Sequence, residues 1–235
     1  MSIAMTTPLV PHGPALHAVL LDIDGTLINS NDAHARAWVV ALRDHGYVVR
    51  FEDVRPLIGM GGDKMLPQLV GLDPESGEAT RIGETRAELF RQELPSLEPT
   101  RGARDLLQRL RRHGLALVVA TSAQADEVNV VLEQAGVADL IVTRASSGDA
   151  ERSKPDPDIV QAALGKSGNT AAHCIMIGDT PYDIEAAKRA RVPCIALRSG
   201  GWWDDASLAG AIAIYDNPAD LCVRFDSSPF VIAGV

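Results

Sequence analysis

Three short apolar runs in this chain each close on carboxylates or hydroxyls: LLDIDGT at 20–26, VVATS at 118–122 and IMIGDT at 175–180. A strand that is apolar throughout has to be covered on both faces, so such runs belong inside a parallel sheet, where their polar ends reach the sheet edge together. From Pro99 onward similar runs alternate with amphipathic stretches: RGARDLLQRLRRHG (101–114), ADEVNVVLEQAG (125–136), DPDIVQAALGKSG (156–168) and PYDIEAAKRARV (181–192). DLIVT (139–143), PCIALRS (193–199) and AIAIYD (211–216) read as further strands. The predicted fold class is α/β, a doubly wound, Rossmann-type parallel sheet.

The first strand, AVLLDID (18–24), is not followed by a second strand but by helix-like pieces broken by Gly and Pro up to residue 98. This gives a core of 17–30 and 99–235, a small helical cap at 31–98, and a loose tail at 1–16. The insertion leaves the core where ligands bind in such sheets, which suits a lid. With 46% hydrophobic residues the chain can bury a full core, and its net charge of −9 argues against a general nucleic-acid or anionic-membrane binder. No window approaches the roughly 20 apolar residues of a membrane span, and residues 1–16 lack the features of a signal peptide. Cys174, Cys194 and Cys222 are scattered and fit neither a disulfide framework nor a zinc site, so the expected setting is cytoplasmic. Nothing in these residues separates a monomer from a homodimer.

Asp22 and Asp24 stand two apart at a strand end, where they face one ligand or form a polar strand exit into a Gly25 turn. Two carboxylates there repel unless a divalent cation neutralises them, and oxygen ligands suit Mg²⁺. One would attack phosphorus while the other handles the leaving-group proton. Thr121 and Ser122 bring hydroxyls to the start of a helix, for phosphate oxygens or as a plain N-cap. Lys154, before Pro155, is a phosphate-binding ammonium or a solvated surface lysine. Asp179 is the third metal ligand. Asp183, at the third position of a helix starting Thr180-Pro181, caps that helix and organises the metal or the lysine.

In this order, Asp22-Ile-Asp24-Gly-Thr26, Thr121-Ser122, Lys154-Pro155 and Gly178-Asp179-Thr180 with Asp183 resemble the haloacid dehalogenase-like (HAD) hydrolase superfamily. The resemblance implies Asp22 as nucleophile, Asp24 as general acid and base, Thr121 and Lys154 as phosphate binders, and Mg²⁺ held by the Asp22 carboxylate, the Asp24 carbonyl and Asp179. The insertion is similar to the C1 cap of the phosphoglycolate phosphatase and β-phosphoglucomutase branch. Within it His34 either hinges the lid, touches substrate or is a partly buried helix histidine. In the loop IGMGGDKML (58–66), where sugar-phosphate mutases of this kind carry an arginine for the distal phosphate, only Lys64 offers a cation. The expected activity is therefore Mg²⁺-dependent hydrolysis of a small phosphorylated metabolite. A mutase and a non-catalytic binding protein are the alternatives.

Overall fold

The central strands of the sheet divide their side chains between two cores, because successive residues point to opposite faces. Val19, Leu21, Leu117, Val119, Ile175, Ile177, Ile195 and Leu197 enter one cluster, while Ala18, Leu20, Val118, Ala120, Cys174, Met176, Cys194 and Ala196 enter the other. The computed structural model describes residues 15–232. The expected tail lies, up to residue 14, outside the described residues; Leu16 at its predicted end is buried in the core.

The six strands are β1 (Ala18–Leu21), β2 (Ala116–Ala120), β3 (Thr143–Ala145), β4 (Cys174–Gly178), β5 (Cys194–Leu197) and β6 (Ala213–Tyr215). They pair in parallel in the order β3-β2-β1-β4-β5-β6, with β1 central. The expected strand at 139–143 is displaced: Leu140 and Ile141 are buried from a turn, and the ladder begins at Thr143, paired with Val118. Leu140 and Ile141 serve packing rather than pairing, while Val142 is exposed.

Helices α1 (Asn31–Asp44), α2 (Phe51–Val54), α3 (Gly62–Val70) and α4 (Gly77–Glu93) form the insertion. They enclose a cluster of their own around Trp38, Leu42, Val54, Leu57, Met65, Leu66 and Ile82. Helix α1 begins directly beyond the first strand and packs along α4, and their residues Ala33, Ala37 and Phe90 join a sheet cluster. Helices α5 (Ala103–Arg112) and α6 (Ala125–Gln134) cover one sheet face; α7 (Asp158–Ser167) and α8 (Pro181–Arg189) cover the other. The chain ends in α9 (Pro218–Val223), which packs on α5, and α10 (Pro229–Ile232). No helix among the described residues is long and apolar enough to cross a membrane.

Candidate active site

The strand order explains how residues remote in sequence meet. Leu21 is in register with Ile177 on one side and Val119 on the other, so the segments after β1, β2 and β4 emerge together. The Asp22 amide still donates to the Ile177 carbonyl at 3.0 Å, which fixes Asp22 beside the Gly178-Asp179 turn. Thr121 follows β2 directly; its Oγ1 accepts from the Ala123 amide at 3.1 Å.

Lys154, only 1% exposed, is held between two carboxylates. Its ammonium donates to Asp22 Oδ1 at 2.5 Å and to Asp183 Oδ1 at 2.7 Å. The second Asp183 oxygen accepts from the Thr180 amide and hydroxyl at 3.1 and 2.7 Å, and the Asp183 amide returns a bond to Thr180 Oγ1 at 3.2 Å. This is a capping box at the start of α8, so Asp183 is both cap and lysine partner. Asp179 accepts from Asn31 Nδ2 at 2.8 Å. A Cβ on Gly25 or Gly200 would lie 2.2 or 2.0 Å from Asp179 Oδ2, so both positions require glycine for this carboxylate to sit there.

Carboxylate oxygens of Asp22, Asp179 and Asp183 come within 4.8 Å of one another, all buried. Three carboxylates against one ammonium leave two uncompensated negative charges, a hard oxygen set that fits a divalent cation. The same imbalance shows in their protonation. Burial, opposed by Lys154 and reinforced by Asp183 and Asp24, pushes the Asp22 carboxyl up to about 7. Burial and then the charges of Asp22 and Asp183 hold Asp179 well above the ordinary carboxylate range. Burial works against the Lys154 ammonium, but Asp183 and Asp22 outweigh it and raise its pKa.

Asp24 belongs to a separate group. Its Oδ1 accepts from Ser30 Oγ at 2.5 Å and lies 2.9 Å from His34 Nε2. Burial would raise this carboxyl, but His34 and Ser30 draw it down to about 2. Asp22 and Asp24 thus take different side-chain partners although they line one cavity, a small one of about 80 Å³ shared with His34, Thr121 and Ser122. His34 stacks on Phe90, 3.8 Å between ring centroids.

The structure removes one of the two readings of Ser122 and engages Lys64 elsewhere. Helix α6 starts at Ala125 with Gln124 at its N-cap, so Ser122 is no cap; its Oγ is buried without a hydrogen-bond partner among the described residues. Lys64 pairs with Asp156 and does not line the cavity, which leaves it engaged at the edge of the insertion. Sequence reasoning missed Asn31, Gly200, Arg86 and Glu127. Arg86 Nη1 lies 3.2 Å from Glu127 and 3.4 Å from His34 Nδ1, with the guanidinium over the Trp38 ring. A signal existed: Arg86 sits four residues from both Ile82 and Phe90, on the buried face of α4.

This geometry agrees with kinship. Residues 19–197 match the family model described as haloacid dehalogenase-like hydrolase. The chain belongs to that family. It is 29% identical over 213 residues to the phosphoglycolate phosphatase of Rhodospirillum rubrum, covering 87% of this chain and 88% of that protein. It is 32% identical over 189 residues to SUPPRESSOR OF QUENCHING 1, chloroplastic, of Arabidopsis thaliana, where 77% of this chain matches only 18% of the longer protein. The crystal structure of a hydrolase from Pseudomonas syringae superposes with a TM-score of 0.84 at 30% identity, covering 90% of this chain and 98% of that one. By this kinship the chain is an enzyme of phosphatase type.

Proposed function

We propose that the chain is a Mg²⁺-dependent phosphomonoesterase that hydrolyses a small phosphorylated metabolite through an aspartyl-phosphate, with 31–98 as its cap. The carrying observation is the buried Asp22–Lys154–Asp183 chain with Asp179 beside it, an arrangement whose excess negative charge calls for a cation. Asp22 and Asp179, with the Asp24 main-chain carbonyl, would hold Mg²⁺, and Asp183 positions Lys154. The bound ion supplies charge stabilisation on phosphoryl oxygens.

Asp22 attacks phosphorus with one carboxylate oxygen as the P–O bond to the leaving group breaks. Lys154 favours the ionised nucleophile and faces the developing charge, while Thr121 and the unpartnered Ser122 Oγ are placed to receive phosphoryl oxygens. Asp24 gives a proton to the departing oxygen, then takes one from the water that attacks the phospho-aspartate and frees Asp22 and phosphate. In its present contacts Asp24 is ionised; an adjacent phosphate dianion raises its proton affinity, so the acid form arrives with substrate. The pairing of Lys64 with Asp156 removes the one cation of the 58–66 loop from the role of distal phosphate anchor, which favours hydrolysis over a mutase cycle. A cytoplasmic setting belongs to the same proposal, in keeping with three free cysteines.

Asp22→Asn is expected to lower Mg²⁺-dependent hydrolysis of p-nitrophenyl phosphate by on the order of a thousandfold or more with an unchanged circular-dichroism spectrum. Wild-type turnover in that variant removes Asp22 as the nucleophile.

A further inference from the structure

The small cavity at Asp22 and Asp24 opens, through Trp38, Arg86, Ser122 and Glu127, into a cleft of about 920 Å³ between the insertion and the sheet. On the proposed chemistry, this is where the leaving group lies. The charge of the cleft is one-sided. Its lining carries six carboxylates, Asp63, Glu84, Glu88, Asp126, Glu127 and Glu151, against two guanidiniums, Arg86 and Arg91. Both guanidiniums are already paired, Arg86 with Glu127 and Arg91 with Glu88. Asp63, Glu84, Asp126 and Glu151 have no ion-pair partner among the described residues, so four negative charges stand uncompensated around the cleft.

Beyond Lys154, which is bound to Asp22 and Asp183, Arg86 is the cation lining the small cavity among the described residues, and it is already paired. Glu127 takes its Nη1, Trp38 covers its face, and both sides of the Arg86–Glu127 pair are mostly buried, at 13% and 10% exposed. A second anionic group on the substrate would have to displace Glu127 in a cleft whose field repels it, since walls of one sign focus that field. What the lining of the cleft offers instead are neutral hydrogen-bonding groups, the Gln124 amide and the Thr80 and Ser147 hydroxyls.

We infer that the enzyme selects phosphomonoesters whose leaving group is neutral or cationic and bears hydroxyl or amino groups, and discriminates against leaving groups carrying a second negative charge. The inference rests on the phosphomonoesterase reading and names its substrate class. At the Lys154 end the phosphate meets the lysine and the cation that the carboxylates would hold, whereas the leaving-group end presents uncompensated carboxylates alone.

Three esters of nearly equal size test it: 2-aminoethyl phosphate, 2-hydroxyethyl phosphate and phosphoglycolate, which differ mainly in the charge of the leaving group. The expected result is a kcat/KM for the first two that exceeds phosphoglycolate by roughly tenfold or more at low salt. That gap is expected to narrow at about 0.5 M salt, as screening weakens the field. Glu84→Lys with Asp126→Lys, both on exposed helix positions, shifts the ratio toward phosphoglycolate, and Glu127→Gln, which releases Arg86, shifts it in the same direction. Phosphoglycolate turned over as well as 2-hydroxyethyl phosphate, or a ratio indifferent to these substitutions, overturns the inference. Hydrolysis of p-nitrophenyl phosphate reports on the parent reading separately. Should that hydrolysis be absent, competition calorimetry of the same three esters on the Mg²⁺-loaded protein still reads the charge order: the stated order supports the inference and its absence refutes it.

Discussion

The sheet edge and the helical insertion meet at one cavity but are built differently. At the sheet edge the key groups are held by adjacent backbone and by one another: Asp22 by the ladder to Ile177, Asp183 by its capping box, Lys154 by both carboxylates. On the insertion two charged groups facing the core pair with elements far away in sequence, Lys64 with Asp156 and Arg86 with Glu127. The first arrangement is rigid and buried, suited to a step common to all substrates. The second is a set of exchangeable pairs around a wide cleft, suited to discrimination.

If that contrast holds, breaking one pair on each side should have very different consequences. Lys154→Met leaves Asp22 and Asp183 buried without their cation and is expected to cost about 3–5 kcal/mol by urea denaturation in the absence of metal, with loss of activity. Lys64→Met removes a partly exposed pair, 28% and 14% exposed, and is expected to cost less than about 1 kcal/mol. Equal costs would erase the distinction.

Gly200→Ala tests the geometry at the Asp179 carboxylate, since the added methyl would collide with Oδ2. Apparent Mg²⁺ affinity, read by activation titration, is expected to fall by about 10–100-fold while the protein stays folded.

The pH dependence of stability should separate the two regions next. Asp22 and Asp179 have folded-state pKa values above their unfolded ones, so their contribution is most favourable below the ordinary carboxylate pKa and is lost as pH rises, for Asp22 through about 7. The metal-free protein is therefore expected to melt lower at pH 8 than at pH 6, and Mg²⁺ to restore most of the difference. The double variant Asp22→Asn with Asp179→Asn should flatten the profile; a steep profile in it would place the titration elsewhere. Asp24 has the opposite sign, depressed to about 2, so its contribution is present above the usual carboxylate pKa and fades only toward pH 2.

The smallest expected effect is at the junction of the regions. His34→Gln removes the imidazole that holds Asp24 low, so the carboxyl should rise from about 2 toward 3.8. The acid limb of the kcat/KM profile is then expected to move upward with little change in stability at neutral pH.

The core was legible because its signals are periodic and positional. Strands apolar on both faces demanded a covered parallel sheet, and residues at strand ends had to share an edge, which brings Asp22, Thr121 and Asp179 together; their reading as one phosphate site came from the joint order of the motifs. Asp183 was readable twice over, as a third helical residue after Thr180 and as a companion of Lys154, and it performs both tasks. The misplaced strand at 139–143 shows the limit of apolar runs as a guide, since Leu140 and Ile141 are buried without joining a ladder. Between the two readings of Ser122 the sequence could not choose, and the ion pair of Lys64 was invisible to it, because a cap position and an ion pair depend on where the helix begins and which loop lies opposite.

By itself the sequence determined the sheet, the order of its chemical residues and the place of the insertion, since these follow from periodicity and from the short reach of strand and helix hydrogen bonds. The tertiary structure alone decided that Asn31 and two glycines seat Asp179, that His34 holds Asp24, and that Glu127 occupies Arg86. Those contacts join residues separated by tens of positions, and a Coulombic partner is chosen by distance in space, which no local pattern in the chain encodes.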